Sequence, residues 1–196
     1  AVAGRRARPR DARWRSSVRR AGELRGSSCD PLVAAMLIAR GGTRPFDLWR
    51  VTQPGTDRVG HAFLSFQWAL ASDLDLGSEA WRWMGDLRFD LYALLRILTQ
   101  WRYRGSLRMR RHDDGEWETV DGNFLMLYCC NVPWLLPDVQ MAPHARFDDG
   151  AADALIVQSA SRFEMLSEFL DLSSGRHASA PWIRYVKCSE LELTPE

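Results

Sequence analysis

The sequence lacks the features that mark a membrane-spanning, secreted or zinc-binding protein. It has no run of about 18 apolar residues, so no membrane-spanning helix is expected. Residues 1–26 lack an apolar core, so no secretory signal is visible. The four cysteines, Cys29, Cys129, Cys130 and Cys188, have no metal-binding spacing. They are expected to be buried free thiols in a reducing compartment, with the adjacent Cys129 and Cys130 on opposite faces of a strand.

Charge is distributed unevenly along the chain. The net charge is +1, yet residues 1–26 contain nine arginines and only two acidic residues. This basic head could bind nucleic acid or an anionic membrane surface, could be a solvated tail, or could be a wrongly translated stretch. It lacks the apolar face of an interfacial helix. We therefore predict a disordered or mistranslated head at 1–28 and one domain at 29–196.

The remaining pattern is that of a β-rich globular domain. The apolar fraction is 46%, and nine tryptophans indicate a core or pocket rich in large rings. Periodicity predicts helices after Asp30, from Ser78 to about Gln100, and from Arg162 to Leu172. Strands are predicted at residues 46–51, 59–70, 105–110, 116–120, 124–130, 154–158, 182–188 and 190–193. With two to three helices, this order indicates an α+β fold built on an antiparallel β-sandwich.

The most distinctive segment is an acidic run at 72–79, predicted to be a loop, which precedes the long helix. Asp73 and Asp75 alternate in it, and Arg82 and Arg88 follow, six residues apart. A carboxylate suits an ammonium, and a guanidinium fork matches phosphate oxygens. Acids and arginines beside an apolar pocket therefore suit a reaction between a lipid amine or hydroxyl and a phosphate donor. The helix carries an apolar stripe expected to face the core: Trp81, Met84, Leu87, Leu91, Leu94, Leu95 and Leu98.

Simpler interpretations of these charged residues stay open on the residues alone. Asp75 could be a loop or cap carboxylate without a ligand, and Asp73 could satisfy loop amides. Glu79 could cap the following helix near its positive end. On one continuous helix, Arg82 and Arg88 would lie about 120° apart and could both be solvated.

Several blocks, in their order and spacing, resemble the sphingosine kinases, which belong to the diacylglycerol kinase-like lipid kinase superfamily. The blocks are Cys29-Asp30-Pro31, the acidic run with its arginines, Tyr103-Arg104-Gly105, the segment 142–150 and the segment 161–177. The resemblance covers roughly residues 29 to 193. The family's Gly-Gly-Asp-Gly, Gly-Ser-Gly-Asn and Asp-Gly-Glu segments do not occur in the sequence. We therefore expect the chain to be the C-terminal, lipid-binding half of a two-domain lipid kinase, incomplete at both ends.

The resemblance implies roles for individual residues. Asp75 would bind the amino and hydroxyl head of a sphingoid base, and Arg82 and Arg88 would contact the phosphates of ATP. The catalytic base would be the aspartate of the absent Gly-Gly-Asp-Gly loop, so no catalytic residue and no metal ligand is assigned in this chain. The lipid channel would be lined by Phe89, Leu135, Val139, Leu155, Met165, Leu166, Phe169 and His177.

Two histidines have other possible roles. His177 could shuttle protons, but its place after Gly175 favours a pocket rim or a structural imidazole. His144 with Asp148 and Asp149 resembles a metal cluster, although a turn before a strand explains this spacing better.

The function expected from the resemblance is ATP-dependent phosphorylation of the primary hydroxyl of a sphingoid base. Mg²⁺ would accompany ATP and bind mainly in the absent half, and the chain alone is expected to be inactive. The alternatives are a diacylglycerol or ceramide kinase and a non-catalytic lipid-binding module. The expected partners are a sphingoid-base lipid and a membrane surface, not nucleic acid, and the expected location is cytoplasmic and peripherally membrane-associated.

Overall fold

The computed structural model describes residues 2–6, 31–41, 43, 45–85 and 87–196. The strands are β1 (Val2–Arg6), β2 (Trp49–Thr52), β3 (Val59–Ala62), β4 (Ser65–Ala69), β5 (Tyr103–Arg111), β6 (Trp117–Phe124), β7 (Met126–Cys130), β8 (Ala152–Val157) and β9 (Arg184–Pro195). The helices are α1 (Pro31–Arg40), α2 (Leu70–Gly77), α3 (Leu87–Thr99) and α4 (Arg162–Phe169). Short 3₁₀ helices lie at Ser78–Met84, Leu172–Ser174 and Arg176–Ser179.

The nine strands within the described residues join one curled antiparallel sheet. Its order is β3-β2-β1-β9-β8-β7-β4, with β5 paired to β9 and β6 paired to β5. The long strand β9 changes partners along its length: residues 184–188 pair with β8, and residues 190–193 lie between β1 and β5. This exchange curls the sheet so that β5, β6 and the end of β9 cover one face of β7 and β8. The α+β, sandwich-like fold predicted from the sequence is confirmed.

The two faces of β7 and β8 contribute to two apolar clusters, because successive side chains of a strand point to opposite sides. Leu127, Cys129, Ala154 and Ile156 face β5, β6 and β9 and belong to what we call the inter-sheet cluster. The opposite face packs against helices and loops and forms the helix-side cluster. Its buried members include Leu70, Ala71, Ile97, Leu125, Tyr128, Cys130, Met141, Leu155, Val157, Met165 and Ile183.

The cysteines follow this division. Cys129 lies in the inter-sheet cluster and Cys130 in the helix-side cluster, which confirms that they point to opposite faces. Cys129, Cys130 and Cys188 are buried free thiols, as expected. Cys29 and Asp30, after which the first helix was predicted, lie outside the described residues. So does most of the basic head, although residues 2–6 form β1, which the sequence analysis did not predict.

The acidic run does not form the predicted loop. Residues 70–77 form α2, which follows β4 through Ala69, whose positive φ of 63° turns the chain sharply. The hydroxyl of Ser72 donates to the carbonyl of Gln67 at 2.9 Å. Asp73 lies in the first helical turn, where the helix dipole favours an acid. These local interactions make the run helical.

The predicted continuous helix from Ser78 to Gln100 was also wrong. A 3₁₀ helix, Ser78–Met84, comes first, with a kink at Trp81, and α3 begins at Leu87 after Gly85, whose φ is 63°. The buried residues of α3 are Ala93, Arg96 and Ile97. The leucines of the predicted stripe lie instead on the solvent side, at Leu87, Leu91, Leu94, Leu95 and Leu98.

Other boundaries differ from the predictions in a simpler way. The predicted strand at 59–70 is divided into β3, which pairs with β2, and β4, which pairs with β7. The two predicted closing strands are one strand, β9. The strands predicted at 105–110 and 116–120 are confirmed as β5 and β6, which pair with each other.

Candidate functional site

The two alternate acids of α2 have different partners. The carboxylate of Asp73 accepts hydrogen bonds from the guanidinium of Arg96 and from the hydroxyl of Tyr103, the latter at 2.6 Å. The carboxylate of Asp75 accepts from the side-chain amide of Gln67 on β4. Within the part of the chain that the structure describes, no basic side chain pairs with Asp75. Among the described residues, Asp73 is therefore neutralised by Arg96, whereas Asp75 has no cationic partner.

Asp75 lies beside the helix-side cluster. Gln67, which holds its carboxylate, is the register partner of Tyr128 on β7, and Tyr128 is a buried member of that cluster. Burial raises the pKa of the Tyr128 hydroxyl, and the charge of Asp75 raises this pKa further. Asp75 itself is exposed to solvent. The geometry therefore places a charged carboxylate at the rim of an apolar cluster.

Most of the predicted channel residues meet in this cluster. Leu155 and Met165 are among its buried members, and the half-buried Leu135, Val139, Leu166 and Phe169 pack against it. They come from β8, α4 and the loop between β7 and β8, which are remote in sequence. The fold thus brings apolar side chains from three elements into one partly exposed cluster.

Of the two remaining predicted channel residues, Phe89 lies outside this cluster and His177 contacts the backbone of one of its members. The ring of Phe89 is on α3 with its face 4.4 Å from the guanidinium carbon of Arg88, and it is not in the helix-side cluster. His177 is buried, and its Nε2 lies 2.8 Å from the carbonyl oxygen of Met141. Because that imidazole is enclosed and held by the backbone, its position favours the structural role over proton shuttling.

The two arginines predicted to contact phosphates share one acid. Glu79 pairs with Arg82 at 3.3 Å and with Arg88 at 2.9 Å. The kinks at Trp81 and Gly85 bring them together, so the 120° separation expected on a continuous helix does not apply. The Arg82 side chain is largely exposed and that of Arg88 is nearly buried. Among these three side chains there is one more positive than negative charge, and guanidinium groups suit an anionic ligand.

A second polar cluster, missed from the sequence, lies at the start of β8. The ammonium of Lys187 donates to Asp149 and to the buried Asp153, at 2.8 Å each. Burial raises the pKa of Asp153 while Lys187 opposes that rise, and burial together with Asp153 raises the pKa of Tyr185. His144 stacks edge-on against Tyr185. Asp149 is thus committed to Lys187, and no metal-binding group of three or more His, Cys, Asp and Glu side chains occurs within the described ranges.

Sequence reasoning also missed Gln67, Arg96 and Tyr103 as partners of the acids. A signal for Arg96 was present, because it lies three residues after Ala93 and next to Ile97, on the face of α3 that is buried. No comparable signal identifies Gln67, whose pairing depends on the path of β4.

An apolar cavity opens on the other side of the molecule, against the inter-sheet cluster. Its lining includes Trp49, Phe66, Cys129 and Leu191. None of the predicted site residues lines it. None of the helices that the structure describes has the length and apolar character needed to cross a bilayer.

Comparison with known proteins gives consistent matches. Residues 75–196 match the family described as the YegS C-terminal NAD kinase beta sandwich-like domain. Sphingosine kinase 1 and sphingosine kinase 2 of Arabidopsis thaliana are 29% and 30% identical to this chain, over 87% of it and 42% of each relative. Sphingoid long chain base kinase 4 of Schizosaccharomyces pombe is 26% identical, over 84% of this chain and 43% of that protein. The chain thus spans about two fifths of the length of these curated relatives.

Proposed function

The chain belongs to the family of YegS C-terminal NAD kinase beta sandwich-like domains, and from this premise we propose that it is the substrate-binding half of a sphingoid-base kinase. In the proposed reaction the primary hydroxyl of a sphingosine-type lipid attacks the γ-phosphate of ATP and forms the 1-phosphate and ADP. Relatives named sphingosine kinase or sphingoid long chain base kinase support the substrate class.

The observation that carries the proposal is the charge of Asp75 at the rim of the helix-side cluster. A sphingoid base has an ammonium beside its hydroxyl and a long apolar tail. Asp75 would accept a charge-assisted hydrogen bond from the ammonium, and the cluster would cover the tail, stabilising it by about 0.8 kcal/mol per buried methylene. Gln67 would keep the carboxylate turned towards β4.

The alternatives lack this match. Diacylglycerol and ceramide have no ammonium. When either lipid bound, the Asp75 carboxylate would lose water without gaining an ion pair, which is unfavourable. A non-catalytic lipid-binding module would need no cationic pair for phosphate. Arg82 and Arg88, which share Glu79, fit the phosphates of ATP and favour the kinase over that module.

Of the proposed nucleotide site, this chain would supply only the two phosphate-binding arginines, Arg82 and Arg88. In phosphoryl transfer, positioning and neutralisation of charge account for most of the catalysis. Arg82 and Arg88 would orient the phosphate chain and balance its charge, without moving a proton. ATP and its Mg²⁺ would bind mainly to residues outside this chain, which would also supply the general base.

We further propose that the protein is cytoplasmic and associates peripherally with membranes. Three buried free thiols favour a reducing compartment. The apolar face of α3, formed by Leu91, Leu94, Leu95 and Leu98, is exposed and contiguous along the helix, as in helices that lie on a lipid surface.

Replacement of Asp75 tests the proposal in the complete kinase. We expect Asp75→Asn to lower kcat/KM for sphingosine by about 10- to 100-fold, because a hydrogen bond to a charged group contributes roughly 1.5–3 kcal/mol. Phosphorylation of ceramide and diacylglycerol should not fall. Asp57→Asn, at an exposed turn, is the matched control. Unchanged phosphorylation of sphingosine in Asp75→Asn would refute the head-group role, and preferential phosphorylation of a neutral lipid would favour the alternative kinase.

A further inference from the structure

We propose that Arg96 and Tyr103 are positioning residues that act through Asp73 to hold Asp75 at the rim of the helix-side cluster. We call Asp73, Arg96 and Tyr103 the latch. The inference rests on the proposed function, since it gives Asp75 the role of head-group acid. Asp73, in contrast, would not touch the substrate but would set the rotation of α2, the helix that carries Asp75.

The latch joins three elements that are distant in sequence. Asp73 belongs to α2, Arg96 to α3 and Tyr103 to the start of β5. Arg96 Nη2 contacts Asp73 Oδ2 and lies 3.1 Å from the Tyr103 hydroxyl oxygen, which is itself 2.6 Å from the same carboxylate oxygen. All three groups therefore converge on one point, and a movement of α2 would break two hydrogen bonds together.

Burial makes this contact strong and directional. The Arg96 side chain is only 3% exposed, and its guanidinium carbon lies 4.1 Å from the centre of the Trp101 ring. Solvent screens a pair in such a place far less than a surface pair. Arg96 Nε and Nη1 are buried without an acceptor in the described part of the chain. Asp73 is thus the carboxylate on which this buried cation depends.

The latch is the charged contact among several weak ones that hold α2. That helix has only eight residues, and its N-cap residue, Ala69, makes no side-chain capping hydrogen bond. Its buried residues, Leu70 and Ala71, are both in the first turn, and beyond them Leu74 is half-buried against the helix-side cluster. Asp73 adds the ionic contact to α3 and the hydrogen bond to β5.

The spacing of the two acids converts this fixation into a position for Asp75. Residues two apart on a helix point about 200° away from each other. When Asp73 is held towards α3 and β5, Asp75 must turn to the opposite side, where Gln67 of β4 donates to it. One turn beyond Asp73, Gly77 supports the same arrangement, because a Cβ there would overlap the hydroxyl of Tyr92 on α3.

The alternative is that the latch only stabilises the fold. A purely structural contact would lower the stability of the whole domain and weaken the binding of any lipid. A positioning contact would loosen α2 selectively, and its effect on substrate would require the carboxylate of Asp75. Two measurements separate these cases.

The first measurement is amide hydrogen exchange on the chain without lipid. In Asp73→Asn and in Tyr103→Phe, which removes only a hydroxyl, we expect exchange within residues 72–77 to be at least about 10-fold faster, as for local opening of a helix. Exchange in β7 and β8 should not change. Arg108→Met, which removes an exposed ion pair with Glu192, is the control. Unchanged exchange in α2 would overturn the latch, whether or not the chain binds lipid.

The second measurement is a double-mutant cycle in the complete kinase. Tyr103→Phe should raise KM for sphingosine at least about 5-fold while leaving kcat near the wild-type value, and should add nothing in the Asp75→Asn background. An equal loss in both backgrounds would assign the latch a structural role and overturn the proposal. If Asp75→Asn alone had no effect, the proposed function would fail, and hydrogen exchange would still decide whether the latch orients α2.

Discussion

Two acids with the same chemistry, two positions apart, have different partners in the fold. Asp73 is held by Arg96 and Tyr103, which lie 23 and 30 residues further along the chain. Asp75 accepts only an amide hydrogen bond among the contacts described above. Resemblance to a family pointed to Asp75 from the sequence. The partners of Asp73 could not be predicted, because they depend on how α2, α3 and β5 meet.

The buried cysteine thiols make the stability of the fold depend on pH. Burial, with a further contribution from Asp153, raises the pKa of Cys130 and of Cys188 to about 12. In the unfolded chain these thiols ionise near pH 8.5. Above about pH 8.5 the unfolded chain loses these thiol protons while the folded chain keeps them. The contribution of the two thiols to the free energy of unfolding is therefore complete below about pH 8.5 and is lost as pH rises towards 12.

We expect the urea midpoint of unfolding to fall between pH 8 and pH 10.5. Cys188→Ala should show a smaller fall than the wild type, because one of the titrating groups is gone. The buried hydroxyls of Tyr128 and Tyr185, whose pKa values are also raised, should preserve part of the slope. Equal pH slopes for the two proteins would show that Cys188 does not titrate as its burial requires.

At the scale of elements, alternation predicted the strands better than periodicity predicted the helices. Side chains of a strand alternate with a period of two, and tertiary contacts do not alter this alternation. It accounts for the paired strands β5 and β6 and for the two faces of β7. The helix predicted at 78–100 failed because Gly85 adopts a positive φ and divides it. The apolar stripe of α3 was real, but the contacts of α2 bury the side of the helix that carries Ala93, Arg96 and Ile97 instead.

The exposed stripe leads to a prediction about membranes. Replacing both Leu94 and Leu98 by Glu should weaken binding of the chain to vesicles of phosphatidylcholine and phosphatidylserine by about 10-fold or more. The reason is that moving the exposed part of a leucine side chain from water into lipid is favourable by about 1 kcal/mol. Val59→Glu, on β3 and also exposed, is the control. Binding that is equal for all three proteins would mean that α3 does not face the bilayer.

For the whole molecule, the central feature is that β7 and β8 separate two apolar clusters with different surroundings. The inter-sheet cluster is enclosed by strands, and a cavity lies against it. The helix-side cluster has half-buried members and Asp75 at its rim. The sandwich could be predicted from strand patterns and from resemblance. The face of the sheet on which the candidate site lies could not be predicted, because it depends on the exchange of partners along β9 and on the turn at Ala69.

The most direct measurement is photo-crosslinking of this chain with a sphingoid base that carries a diazirine in its tail, followed by mass spectrometry of the labelled peptides. Our account predicts labels on residues of the helix-side cluster, at Leu135, Val139, Met165 and Phe169, and weaker labelling in Asp75→Asn. Labels confined to the inter-sheet cavity, at Trp49, Phe66 or Leu191, with no effect of Asp75→Asn, would contradict it.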